Sequence, residues 1–391
     1  MKTEDENLLE DWFLKRNLSS GTRESYQIVI REYSELIGKT PTELLDEAET
    51  EEDAGIRPRK RQVTHYLLKF KKHLEDNNMS PGYLSLNISA IKSFYKAFDI
   101  TLPEIKVNRG DIGLEKNMGK PLIRNDIVKL ISSANHRERA LIYLMALSGM
   151  GQQEARDLTI KKLIQAASSA TEIQLETVYD LFKHEERVLD EVLTLEIIRK
   201  KVNYRHYTFI PPEASREIIS YLKERCYGRN EKIRIADLNE PIFVNNNGRK
   251  LSRDSIVTNF RRIGQQAGFQ KESGTYAFWR SHALRKYFIS TIINKIGEKT
   301  IADYMAGHKI SEQDRTYWKT DPDDLKRHYI KALPYLSIDE AQVKDFESPE
   351  YRELKSTMSE KEDRISNLEE EVQLLKEVMN DSEYWKNKSQ S

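Results

Sequence analysis

Only one cysteine, Cys226, occurs in the 391 residues. A single thiol excludes an intramolecular disulfide framework and leaves no cysteine cluster for structural zinc, which fits an intracellular setting. Long apolar runs are missing too: none approaches the roughly 18 residues that a membrane span needs. The first residues, Met1-Lys2-Thr3-Glu4-Asp5-Glu6, are acidic where a secretory leader is basic and then apolar. We therefore expect a cytoplasmic protein with no membrane partner. Net charge is also absent, because 63 basic and 63 acidic residues cancel. Total charge thus gives no argument for a nucleic-acid partner, and any basic surface must come from segregation along the chain.

Segregation is present. Arg57-Pro58-Arg59-Lys60-Arg61 and the run from Lys69 to His73 are basic, whereas Glu43 to Asp53 and the last fifty or so residues carry much of the acid. Taken alone, each run is equally readable as a solvated face. A 38% hydrophobic composition over this length supports two or three folded domains, each with its own core.

From Asn7 to about Phe98 the apolar residues recur at helical spacing: Leu8, Leu9, Trp12 and Phe13, then Tyr26, Ile30, Tyr33 and Ile37, then Tyr66, Phe70 and Leu74, then Leu84, Ile88, Ile91 and Tyr95. Four or five amphipathic helices follow, punctuated at Ser20-Gly21-Thr22, Thr40-Pro41 and Ser80-Pro81. Residues 1–99 are thus expected to form a small helical bundle. Pro103, Gly110, Gly113, Gly119 and Pro121, in a stretch without period, mark 100–121 as a linker. A second, mainly α domain is expected over 122–340. Its helices are predicted at Asp126 to Ser133, Arg137 to Leu147, Ala214 to Cys226, Arg253 to Ala267, His282 to Ile296, Thr300 to Met305 and Asp323 to Ala332. Val192 to Arg199 and His206 to Ile210, rich in β-branched and aromatic residues, predict a β-hairpin. In 341–391, Leu354, Met358, Ile365, Leu368, Val372, Leu375 and Met379 fall on a heptad stripe broken at Lys361. That stripe suits either a coiled coil or a single helix folded back on the body.

The residues with chemical potential come in a particular order. His282 and Arg285, three apart, share one helix face and can address one phosphate. Gly307-His308 follows, and Tyr317 lies nine residues beyond His308. Ahead of them stand Ser148-Gly149-Met150 with Glu154 and Leu158, and Arg199-Lys200-Lys201 before Tyr207-Thr208-Phe209-Ile210. In that order and spacing the chain resembles the tyrosine recombinases of the phage integrase family, close to the archaeal members, over roughly residues 7 to 340. The resemblance implies a mainly α fold: an N-terminal helical-bundle (SAM-like) DNA-binding domain and an α-rich catalytic domain with a small hairpin, closing as a clamp on double-stranded DNA. It implies a homo-oligomer, a tetramer on DNA, and neither metal nor nucleotide cofactor.

The same resemblance implies roles. Tyr317 is the nucleophile that takes the 3′ phosphate, Arg285 stabilises charge on the nonbridging oxygens, and His282 and His308 hold the phosphate or relay the tyrosine proton. Lys201, preferred to its neighbour Lys200, protonates the leaving 5′ oxygen. Tyr329 is the rival nucleophile, but Leu325 and Leu333 flank it at core spacing. Candidate DNA contacts are Arg57, Arg59, Lys60, Arg61, Lys69 and Lys72 in the first domain and Arg249, Lys250, Arg253, Arg261 and Arg262 in the second.

One position departs from the family. Its first catalytic arginine falls where this chain has Gly151. Arg156 is the nearest substitute, about 140° round and about 7.5 Å along a helix from 151, and contact with a DNA phosphate or a carboxylate is an equal reading of it. The function expected is site-specific recombination through a phosphotyrosine. The alternatives are a cleavage-defective DNA-binding protein on the same fold and, less in keeping with the helical bundle, a relaxing topoisomerase.

Overall fold

The computed structural model describes residues 3–107, 120–199, 204–271, 276–310 and 321–339. Packing divides the chain into two units, residues 1–119 and 120–391. The heptad stripe, Lys201, Tyr317 and most of the stretch between the units lie outside the described residues.

Among its described residues the first unit holds five α-helices: α1 (Thr3–Lys15), α2 (Ser20–Ile37), α3 (Pro41–Asp53), α4 (Gln62–Asp76) and α5 (Pro81–Ala97). Side-chain caps fix the starts of α3 and α5. Thr40 and Glu43 form a reciprocal capping box ahead of Pro41, and the Ser80 hydroxyl accepts from the Tyr83 amide ahead of Pro81. Each apolar stripe turns inward on an aromatic core of Trp12, Phe13, Tyr33, Phe70, Phe94 and Tyr95, all fully buried. Trp12 satisfies its indole N–H on Ser93 Oγ at 3.3 Å. Ile100, Leu102, Ile105 and Val107 also pack on this core, so the first residues of the stretch read as linker belong to its surface.

The second unit is organised around α7 (His136–Ser148), preceded by α6 (Arg124–Ser132). Ala140 through Ser148 are all buried, and a helix covered on every side is a central one. Four helices follow, α8 (Gln152–Asp157), α9 (Ile160–Thr171), α10 (Val178–Lys183) and α11 (Glu185–Leu189), in a region where the sequence had suggested only a helix from 151 through Arg156. Strands β1 (Leu193–Arg199) and β2 (Tyr204–Ile210) pair antiparallel, with Leu195 opposite Thr208, Ile197 opposite His206 and Arg199 opposite Tyr204. Then come α12 (Pro212–Tyr227), α13 (Arg253–Gln266), α14 (Ser281–Ile296), α15 (Lys299–Met305) and α16 (Pro322–Leu336). Helices α12 and α14 and strand β2 pack on α7, and α16 closes over α14 and β2. The result is the mainly α architecture with one small two-stranded sheet that the sequence predicts.

Candidate active site

Because strand side chains alternate, Leu193, Leu195, Ile197 and Arg199 share one face of the hairpin with their partners Ile210, Thr208, His206 and Tyr204. Leu193, Leu195 and Ile197 are buried. That face is apolar at one end and polar at the other. Thr208 Oγ1 donates to Ser148 O at 2.5 Å, fastening the strand to the end of α7.

Two glycine turns meet this polar end. Gly149 ends α7 at φ 67°, and a Cβ there would lie 2.4 Å from the Phe288 ring. Gly307, at φ 70°, lies against His206, whose Cε1 would be 2.6 Å from an added Cβ. Both turns therefore need glycine for backbone sign and for space. Each carbonyl holds a guanidinium: Arg285 Nη1 donates to Gly149 O at 3.2 Å, and Arg199 Nη1 donates to Gly307 O at 2.8 Å.

Arg285 projects from the second turn of α14 and is buried, and its Nη2 has no hydrogen-bond partner among the described residues. Burial pushes its pKa down to about 10; Glu154 and Asp303 pull it up while the charge of Arg199 lowers it further. It stays charged at neutral pH. Glu154, buried at the start of α8, pairs through Oε1 with Arg199 Nε at 3.0 Å. His282, on the solvent side of the α14 N-terminus, has its pKa lowered first by partial burial and then by Arg280, Lys286, Arg285 and His308. His308 Nδ1 lies 2.9 Å from Asp303 Oδ1, which leaves Nε2 without a hydrogen-bond partner among the described residues. His206 is buried, its Nδ1 unpartnered among the described residues, and desolvation followed by the charges of Arg285 and Arg199 depresses its pKa to about 4.

The structure thus brings His282, Arg285 and His308 together. Arg156 is not with them: its Nε donates to Leu251 O at 2.6 Å and its Nη1 to Gln153 at 3.3 Å, so the extra helical turn carries it to the 251 loop. Tyr329 is fully buried with its hydroxyl donated to Leu147 O at 2.8 Å. Burial raises its pKa well above the ordinary tyrosine value, and a phenol so placed has no access to DNA. Arg199 and His206 were not singled out from the sequence. The available signal was the β1 alternation itself, which places an arginine where Leu193, Leu195 and Ile197 predict an inward side chain.

Among the basic candidates of the first unit, Arg57, Arg59, Lys60, Lys69 and Lys72 are exposed, Lys69 donating to Leu36 O at 3.1 Å. Arg61 is a correction. It is buried, with Nε on Ile56 O at 2.7 Å and Nη1 paired with Glu52 at 3.0 Å, so it braces the loop ahead of α4 and presents nothing to a phosphate. In the second unit Arg249, Lys250, Arg253, Arg261 and Arg262 are all exposed. Lys250 is paired with Asp157, and Arg262 Nη2 contacts both oxygens of Glu138, at 2.6 and 2.5 Å.

A hairpin and two glycine turns gather arginine and histidine side chains around one α-helical core, a set of donors chemically able to hold an anionic oxygen group. The phage integrase family model matches residues 120–323, just over half the chain, and the protein belongs to that family, the tyrosine recombinases. No curated protein matches it by sequence. Among solved structures, the Tn1549 transposon integrase in complex with circular intermediate DNA is similar over 84% of this chain and 98% of that one, at 15% identity and a TM-score of 0.50. That likeness shows the fold alone. A lambda integrase dimer bound to a COC' core site (14% identity, 78% and 93% coverage, TM-score 0.47) and the XerA recombinase (19%, 83% and 97%, 0.36) also match.

Proposed function

We propose that this protein is a site-specific recombinase that cuts and rejoins double-stranded DNA through a 3′-phosphotyrosine. The observation that carries the reading is Arg285, a buried guanidinium with an unpartnered Nη2, flanked by His282 and His308 in a member of this family. A buried donor without a partner costs about 1–3 kcal/mol. A phosphate oxygen in the site supplies the acceptor and the counter-charge.

In this reading the Tyr317 oxygen attacks the scissile phosphorus, the P–O5′ bond breaks, and Lys201 gives its proton to the departing 5′ oxygen. Negative charge rises on the nonbridging oxygens in the transition state, where preorganised donors act most strongly. Arg285 meets one of them. His308, oriented by Asp303, offers Nε2 to the phosphate, and His282, whose lowered pKa favours the neutral ring, accepts or relays the tyrosine proton. Reversal by the 5′ hydroxyl of another strand completes the exchange. Four cleavages join two duplexes, so the working form is a tetramer on DNA, held mainly by its phosphates through the exposed basic residues of both units. No part of this scheme calls on a metal or nucleotide.

A second reading rests on Gly151: without a side chain there, the protein binds DNA on the same fold and does not cleave it. Covalent trapping decides between them. Nicked suicide DNA bearing attachment sequences from the protein's own genome is incubated with wild type and Tyr317→Phe in the presence of chelator. A denaturant-resistant, protease-sensitive adduct lost in Tyr317→Phe supports the recombinase. Binding without any adduct supports the cleavage-defective protein.

A further inference from the structure

Position 151 lacks a side chain, yet the direction in which one would leave the backbone is defined. A Cβ at Gly151 would lie 2.4 Å from Glu154 Oε2 and 3.4 Å from Arg285 Nη1. The space it faces therefore belongs to a buried carboxylate and the arginine of α14. The other oxygen of that carboxylate is paired with Arg199 Nε at 3.0 Å, and Arg199 Nη1 reaches the carbonyl of Gly307, the residue before His308, at 2.8 Å.

We propose that Arg199 is a catalytic residue, supplying from β1 the second phosphate-binding guanidinium that position 151 does not. This rests on the recombinase reading above. Three features carry it. The strand period turns Arg199 inward beside His206 instead of outward to solvent. Its two bonds hold the guanidinium between Glu154 of α8 and the carbonyl of Gly307, the turn before His308, while Arg285 is held by Gly149 O in the turn that leads into α8. And Glu154, paired with Arg199 Nε, faces Arg285 Nη1 across the space beside Gly151, which sets the two guanidiniums on either side of one carboxylate, as two clamps on one phosphate require. The two arginines are close enough that the charge of Arg199 lowers the pKa of Arg285. Arg156, occupied at Leu251, does not enter this space.

Suicide DNA with a scissile phosphodiester is compared with the two methylphosphonate diastereomers, each of which removes charge from one nonbridging position. On the phosphodiester, Arg199→Ala is expected to form adduct at least about 100-fold more slowly than wild type, with Arg199→Lys between them. One methylphosphonate diastereomer should shrink the Arg199→Ala loss below tenfold, and the opposite diastereomer should relieve Arg285→Ala. Arg199→Ala leaves the buried Glu154 and the Gly307 carbonyl without their partner and should lower the melting temperature, so rates are compared at a temperature where every variant is folded, and DNA affinity should stay near wild type. Relief by neither diastereomer means that Arg199 is structural, and relief of both variants by the same one means that it only positions Arg285; either result overturns the proposal while leaving the recombinase reading intact. No adduct from wild type on any of the three DNAs overturns both.

Discussion

Gly307 lies against the ring of His206, so close that a Cβ at 307 would stand 2.6 Å from His206 Cε1. Its φ of 70° is also one that L side chains rarely adopt. Gly307→Ala should lower stability by about 2 kcal/mol or more through strain and overlap together. It should also displace the carbonyl that holds Arg199. Chemical denaturation and adduct formation measured on the same variant test both effects, and a variant with wild-type values in each would refute the close packing.

His206 predicts a pH dependence of stability. Its folded pKa, about 4, is depressed from an ordinary 6.5 because the buried ring faces Arg285 and Arg199. The folded protein refuses a proton that the unfolded chain accepts. The contribution is therefore complete above pH 6.5 and is lost as pH falls toward 4, by about 3 kcal/mol in all. His206→Gln should flatten the melting-temperature profile between pH 6.5 and 4.5. Parallel profiles for variant and wild type would count against the assignment.

Exchange of arginines between elements offers a further check. The backbone at Gly151, φ −77° and ψ 171°, accepts any residue, and the only tight contact of a new Cβ is the flexible end of Glu154. Gly151→Arg in an Arg199→Ala background should recover most of a roughly 100-fold loss in adduct formation. A double variant as slow as Arg199→Ala would show that a guanidinium at 151 cannot reach the same oxygens.

Tyr329→Phe removes a buried hydroxyl and its bond to Leu147 O at 2.8 Å. The expected result is a loss of about 1 kcal/mol with adduct formation unchanged, in contrast to Tyr317→Phe. Adduct lost in Tyr329→Phe and kept in Tyr317→Phe would reverse the assignment of the nucleophile.

Neighbouring arginines in one basic run should separate by kind. Arg61→Ala leaves Glu52 and two carbonyls, of Ile56 and Thr101, without their partner and should destabilise the first unit by about 2–4 kcal/mol. Arg59→Ala should leave melting alone and weaken DNA binding, reducing the salt slope by about one. Equal melting temperatures for the two variants would contradict the bracing role of Arg61.

Much of this was legible beforehand. The helices of the first unit follow from long, regular apolar stripes with clear caps, and the hairpin from β-branched and aromatic runs. The helices over 178–189 were not, because pieces of five or six residues span too few turns for a period to show, whereas Ile160–Thr171 carries a readable stripe at Ile160, Leu163, Ile164 and Ala167 that the helices expected from sequence leave out. His282, Arg285 and His308 could be picked out because each sits in a short local string. Arg199 could not be matched to Glu154 that way: their bond joins a strand to a helix start 45 positions earlier, and such a pairing leaves no local pattern. Arg61 misled because charge runs report composition, whereas burial is decided by the carbonyls and carboxylate that the fold brings to it.

The strand ladder itself has a chemical role. A slip of one position in the pairing of Leu193–Arg199 with Tyr204–Ile210 would exchange inner and outer faces along the slipped strand. Such a slip would turn Leu193, Leu195 and Ile197 out to solvent and bring Glu196 in, and at the other end it would swing a guanidinium out of the pocket. Register here acts as a selector switch with one working setting, and a single-residue deletion inside β1 is an all-or-none lesion for the chemistry even if the domain still folds.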